Sequence, residues 1–106
     1  MANIIYRGES KVLVFTLTDD GGSPANLTGA VATFRLAKSF GVTPLITRSG
    51  SIPTPLTGKV TVLLDEADTD DLEAIPHIYE LVVEINGDTY VSSQGTIYIL
   101  KSILEP

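Results

Sequence analysis

Three stretches of the chain hold residue types that do chemistry. The first is "LTDDGGSPANLTGA", Leu17 to Ala30, with two adjacent carboxylates, a glycine pair and an Asn-Leu-Thr triplet. By type it offers phosphate binding, calcium binding or glycosylation. A phosphate loop runs from its glycines into a helix N-terminus, usually with a Lys. This stretch runs into an alternating, strand-like segment and contains no Lys. An EF-hand calcium loop alternates its oxygen ligands, with Gly at the sixth position and Glu at the twelfth. Asp19 and Asp20 are neighbours, so their side chains diverge on extended backbone. Asn26-Leu27-Thr28 fits the glycosylation pattern, but nothing else in the sequence points to a secreted, disulfide-bonded context. The surviving reading is a connection between strands. Gly21 and Gly22 reverse the chain, Pro24 stiffens it, Leu27 re-enters the core and Gly29 starts the next strand.

The second stretch is the acidic run Asp65, Glu66, Asp68, Asp70, Asp71 and Glu73. Carboxylates could hold a hard cation or a basic partner. On a short helix these six spread around the axis, which makes a capped, solvated turn the better reading. The third is His77, the only imidazole. It has no Cys to pair with, and no serine lies in a G-x-S-x-G elbow. Glu80 and Glu84 alternate outward on a strand. No catalytic constellation emerges, so the expectation is a non-enzyme with no cofactor and no metal.

The elements that position these residues are nearly all strands. "KVLVFTLTD" puts Leu13, Phe15 and Leu17 on one face and Val12, Val14, Thr16 and Thr18 on the other, a strand from about Ser10 to Asp19. Ala30, Ala32, Phe34 and Leu36 align in the same way, as do Val60, Val62 and Leu64. Tyr79, Leu81, Val83 and Ile85 form a further set, and Ile97 and Ile99 oppose Tyr98 and Leu100. Leu45 to Arg48 reads as a short edge strand beside Pro44, which gives no ladder donor. Ile52 to Gly58 is a Pro-punctuated connection. Asp65 caps one or two helical turns over Glu66 to Ala74, with Leu72 and Ile75 covering one end of the core and Pro76 stopping the element. Asn86-Gly87 is a two-residue hairpin turn pairing Ile85 with Asp88 and Val83 with Tyr90. Continuing that register places Ile97 and Ile99 opposite the core face. A one-residue bulge between Ser92 and Gly95, with Gly95 the natural place, restores them.

The fold class expected is all-β: a two-sheet antiparallel immunoglobulin-like sandwich of about seven strands with one short helical turn, spanning 1–106 as a single domain. Phe15 and Phe34 should meet between the sheets, each costing about 3–5 kcal/mol when cut to Ala. Val12, Val14, Val31, Ile78, Val82 and Val91 sit on nominally exposed faces. As a patch they are the candidate interface.

Composition narrows the partners. The formal net charge is −6 with only seven Lys and Arg, so no basic patch is visible for nucleic acid or an anionic membrane. No apolar run reaches the ~18 residues of a membrane span. There is no Cys to form a disulfide framework. "MANIIYRGES" lacks a charged start followed by an apolar block. The chain is therefore expected to begin at or next to Met1 and to be made in the cytoplasm.

Taken in order, "YRGES", "FTLTDDGGSPANLTGAVATFRL", "GKVTVLLDEADTDDLEAIPHIYELVVEINGDTY" and "SSQGTIYI" resemble a phage β-sandwich module. It is the module at the N-terminus of siphophage baseplate upper proteins and in related small tail proteins. The carrying residues are Gly8 and Glu9 before the first strand, and Asp19, Gly22, Asn26, Leu27, Thr28, Gly29 and Ala30 in the turn. Val60, Thr61, Val62, Leu64, Asp68, Thr69 and Leu72 follow, then Tyr79, Leu81, Val83, Gly87, Gly95, Thr96, Ile97 and Ile99. Where the family has a P-x-G turn before the Tyr strand, this chain has "IPHI". The resemblance implies a non-catalytic virion structural protein. It would be an adaptor or accessory module of the tail, baseplate or fibre, made in the host cytoplasm and docked on other virion proteins, oligomeric or in many copies. A capsid decoration (cement) protein is the alternative. A host-surface carbohydrate-binding module is a further one, disfavoured by the lack of Trp and the dispersed Tyr6, Tyr79, Tyr90 and Tyr98.

Overall fold

The computed structural model describes residues 3 to 101. Met1, Ala2 and residues 102 to 106, which the single-domain reading includes, lie outside them. Among the described residues seven strands form in order: β1 (Asn3–Tyr6), β2 (Lys11–Thr16), β3 (Val31–Ala37), β4 (Ile46–Gly50), β5 (Lys59–Leu64), β6 (Pro76–Ile85) and β7 (Asp88–Leu100). One helical turn, α1 (Glu66–Asp70), separates β5 from β6, and a 3-10 turn at Pro55–Thr57 precedes β5. A five-stranded sheet, β1-β7-β6-β3-β4, packs over a two-stranded sheet, β2-β5. The two-sheet, all-β architecture agrees with the sequence reading.

The expected inner faces are the observed ones. Ala32, Phe34, Leu36, Val60, Val62, Leu64, Leu81, Val83, Ile97 and Ile99 are all buried in one core. The register explains why. Phe34 pairs with Leu81, Ala32 with Val83 and Leu36 with Tyr79, so period-two alternation brings one apolar set together on one side. Phe15 of the small sheet meets Phe34 and Tyr79 of the large one, with ring centroids 6.1 and 5.8 Å apart. Leu27 is buried, as its place in the opening turn suggested.

The hairpin forms as expected. Asn86 and Gly87 take φ of 52° and 84°, and Ile85 pairs with Asp88. The bulge is present but sits at Ser92, not Gly95. Val82 pairs with Val91 while Leu81 pairs with Ser93, and the ladder runs unbroken through Tyr79 and Gly95. Gly95 has a different task. A Cβ there would come within 3.0 Å of the Tyr79 ring, so the ring lies directly over it.

Four expectations need correction. β1 went unforeseen, and it pairs with β7 in parallel, so the large sheet is mixed. "NIIY" is too short for a periodicity signal, and it is held because Ile5 lands opposite Ile99 in the core. The edge strand lies at Ile46–Gly50, since Pro44 and Leu45 precede the first β3 pair, Leu36 with Ile46. The helix ends at Asp70 and does not reach Ala74, because the Leu72 N–H turns back to the Thr69 carbonyl at 3.3 Å. Leu72 covers the core end as expected, but Ile75 is exposed.

The sandwich is lopsided. At one side it closes: Ser51, just past β4, exchanges backbone hydrogen bonds of 2.7 and 2.8 Å with Thr61 of β5. At the other side β2 has no strand partner besides β5 among the described residues.

Candidate interaction surfaces

Several of the residues with chemical potential have structural tasks. Asp19 Oδ1 accepts from the N–H groups of Gly21 and Ser23, at 2.9 and 3.0 Å. Its carboxylate thus builds the turn that carries it. Asn26 Oδ1 accepts from the Thr28 N–H and hydroxyl, at 3.1 and 2.7 Å, in a second local turn. His77 is buried opposite Ile97. Its Nδ1 donates to the Ile75 carbonyl at 2.8 Å, since that oxygen can only accept. Among the described residues, no three His, Asp or Glu side chains gather as a metal site would require.

The acidic run is less passive than a solvated turn. Arg48 reaches from β4 to the Asp68 carboxylate through Nε at 3.1 Å and through its terminal nitrogen, and Asp68 also accepts from the Asp65 N–H at 2.9 Å. The Arg48 hydrogen bonds hold the Asp68 carboxyl below the usual carboxylate range, with help from the Asp65 N–H and against partial burial. Lys38 pairs with Glu73 and lowers that carboxyl too, chiefly by hydrogen bonding. Thr69, fully buried, accepts from the Gly8 N–H at 3.0 Å and donates to the Glu9 carbonyl at 2.9 Å. The segment around α1 is a clasp. It ties the β1–β2 connection and the β3–β4 edge across one end of the core.

The surface is where the molecule has unused capacity. The six candidate interface residues do not form one patch. Val12 and Val14 are on the outer face of β2, 54% and 58% exposed, with exposed Leu63 opposite Val12. Val31, Ile78, Val82 and Val91 lie on the outer face of the large sheet, on the opposite side of the sandwich. Val31 and Val91 are exposed, whereas Ile78 and Val82 are half-buried. Ile78 lines a cleft of about 110 Å³ with Phe40, Val42 and Pro44. Sequence alternation identified which residues point outward, but not which outward face each strand supplies.

Two further surfaces escaped the sequence reading. Ile4, Tyr6, Tyr98 and Leu100 form a cross-strand cluster on the outer face of β1 and β7, all partly exposed. Its signal was the alternation in "IYIL", but its other half depends on the unforeseen β1. The second surface is a groove of about 410 Å³ along β2, lined by Leu13, Phe15 and Leu17 below and by Tyr79, Ser93 and Ile97 above. It continues past Leu17 to Tyr90, which pairs with Val83 on the inner face yet is 53% exposed. An inward Tyr left in the open means that no strand among the described residues lies beneath that part of β7.

No protein-family model and no curated protein matches the sequence. Solved structures do match. The N-terminal domain of phage TP901-1 ORF48 superposes with a TM-score of 0.67 at 12% identity, covering 95% of this chain and 86% of that one. A putative glycoside hydrolase from Bacteroides vulgatus ATCC 8482 superposes with a TM-score of 0.56 at 11% identity. That match covers 94% of this chain but only 16% of the other, so it concerns a small part of a much larger protein. No helix of the described residues is long and apolar enough to cross a membrane. Across nearly its whole length, the chain has the fold of the N-terminal domain of phage TP901-1 ORF48.

Proposed function

We propose that this chain is a non-catalytic structural module of a phage virion, docking onto other virion proteins in a tail, baseplate or fibre assembly. The observation that carries the reading is the end-to-end fold match with a phage protein domain. The sequence resemblance points to the same kind of module by separate means. The surfaces fit the task. Val12, Val14, Leu63, Val31 and Val91 are exposed apolar side chains, and among the described residues β2 has a free edge. Apolar surface and unpaired strand edges are what protein partners bind. Asp19, Glu9, Asp68, Glu73 and Glu80 are engaged in turns and ion pairs. That supports a role without catalysis.

The test is to locate the chain in purified particles, by quantitative mass spectrometry and then by reconstruction. A few copies to a few tens, placed at the tail tip, is the expected result. Hundreds of copies on the capsid would favour the decoration role. Absence from particles would overturn the reading.

A further inference from the structure

We propose that the free edge of β2 is a strand-addition site for an extended arm of a partner protein, one with alternating apolar residues and a basic N-terminal end. This names the partner chemistry for the docking role proposed above. The β2 edge and its groove are the same wherever in a virion the chain sits.

Leu17 donates its N–H to the Gly58 carbonyl at 2.7 Å, continuing the register that pairs Thr16 with Lys59. In an antiparallel pair the hydrogen-bonding residues alternate. Leu13, Phe15 and Leu17 therefore direct their N–H and C=O groups at β5, and Val12, Val14 and Thr16 direct theirs at the free edge. Sheets usually blunt such an edge with Pro, a bulge or an inward charge. β2 reads "KVLVFT", with no Pro, an unbroken register and its one Lys at the end.

The groove beside that edge has the lining of a missing strand. Phe15 packs under Phe34 of β3 and Tyr79 of β6, so β2 lies below the middle of the large sheet. The large sheet overhangs beyond it. The side chains facing the space are Leu13, Phe15 and Leu17, all half-buried, with Tyr79 and Tyr90 above. An added strand would present every second side chain to this lining.

The overhang and the charges select the occupant. A second copy joined edge to edge at β2 would bring its own overhanging β7 into the same space, so a whole sandwich does not fit and a single arm does. Asp19, Asp20 and Asp88 rim the groove at its Leu17 end, and Lys11 lies at the other. Antiparallel addition, the more stable mode, puts the arm's N-terminus beside the three acids and its C-terminus beside Lys11. A basic start and an acidic finish are complementary to that pattern.

The test uses the intact protein and an acetylated, amidated peptide, Lys-Lys-(Val-Thr)3-Glu, followed by NMR and amide hydrogen exchange. The expected result is saturable binding with new protection at the N–H groups of Val12, Val14 and Thr16. Thr residues of the peptide would face outward and carry its donors to β2, so N-methylating them should weaken binding at least about tenfold. Val14→Pro should do the same, because its N–H faces the free edge and its loss leaves the β5 ladder intact. If Val14→Pro unfolds the domain, the N-methylated peptide against the unchanged protein decides alone. A charge-reversed peptide, Glu-first and Lys-last, should bind several-fold more weakly, with the difference shrinking in salt. No protection at Val12, Val14 and Thr16 at millimolar peptide overturns the site. Equal binding of the N-methylated peptide overturns strand addition, and equal binding of the charge-reversed peptide overturns the basic-end assignment. Particle composition does not enter this assay, so its failure and that of the virion reading are separable.

Discussion

Cutting Phe34 to Ala tests whether the core is built as described, and comparing it with Phe15→Ala makes the test specific. Phe34 is fully buried and touches both other rings of the cluster, with Tyr79 stacked on it at 6.1 Å and 22°. Its replacement removes a buried ring and leaves a cavity that rigid β-strands collapse around poorly, a loss of about 3–5 kcal/mol. Phe15 is only half-buried, because its far side faces the open groove along β2. It loses less transfer free energy and leaves an indentation in place of a closed cavity, so about 1.5–2.5 kcal/mol is expected. The equal costs expected from sequence are thereby corrected. Urea unfolding followed by circular dichroism, with unchanged slope, measures both values. In thermal melts Phe34→Ala should fall by on the order of 15–20 °C, and Phe15→Ala by about half of that. The double variant should show coupling of about 0.5–1.5 kcal/mol, as touching aromatic pairs do. A Phe15→Ala cost equal to or above that of Phe34→Ala would refute the lopsided sandwich. A Phe34→Ala cost below ~1 kcal/mol would refute the inner face altogether.

Other substitutions probe other joints. Gly58 has φ of +69°, and a Cβ there would meet the Leu17 carbonyl oxygen at 2.3 Å and the Ala25 nitrogen at 2.9 Å. Gly58→Ala should cost at least about 2–3 kcal/mol in urea unfolding, since backbone must move and the Leu17–Gly58 bond with it. Gly95→Ala should push the Tyr79 ring off its platform, costing about 1–2 kcal/mol and changing the near-ultraviolet dichroism of the tyrosines. Asp68→Asn should cost about 0.5–1 kcal/mol at neutral pH. Asp68 is more acidic folded than unfolded, so its contribution is complete above the unfolded value of 3.8 and fades as pH falls through the lower folded value. The parent protein should therefore lose stability below about pH 4 faster than Asp68→Asn, and parallel curves would exclude the Arg48 clasp.

The sequence determined what local physics can encode. Side chains alternate with a period of two along any strand, so the inward set of every long strand was legible before any pairing was known. Asn86-Gly87 fixed one hairpin, because both positions need positive φ. That hairpin's register, carried along β7, demanded a bulge within four residues of where it occurs. The character of "LTDDGGSPANLTGA" was legible too, since an Asp two residues before a Gly closes a turn by itself. Tertiary structure decided everything set by which strands meet. β1 is a strand only because β7 offers it an edge, and four residues make no pattern alone. The five outward valines and one isoleucine divide between opposite faces because β2 and the β3–β6–β7 group belong to different sheets. Tyr90 was paired with Val83 from sequence, yet its exposure follows from the two-stranded sheet stopping short beneath it. Alternation says which way a side chain points. Only the count and order of strands in the facing sheet say whether anything is there to meet it.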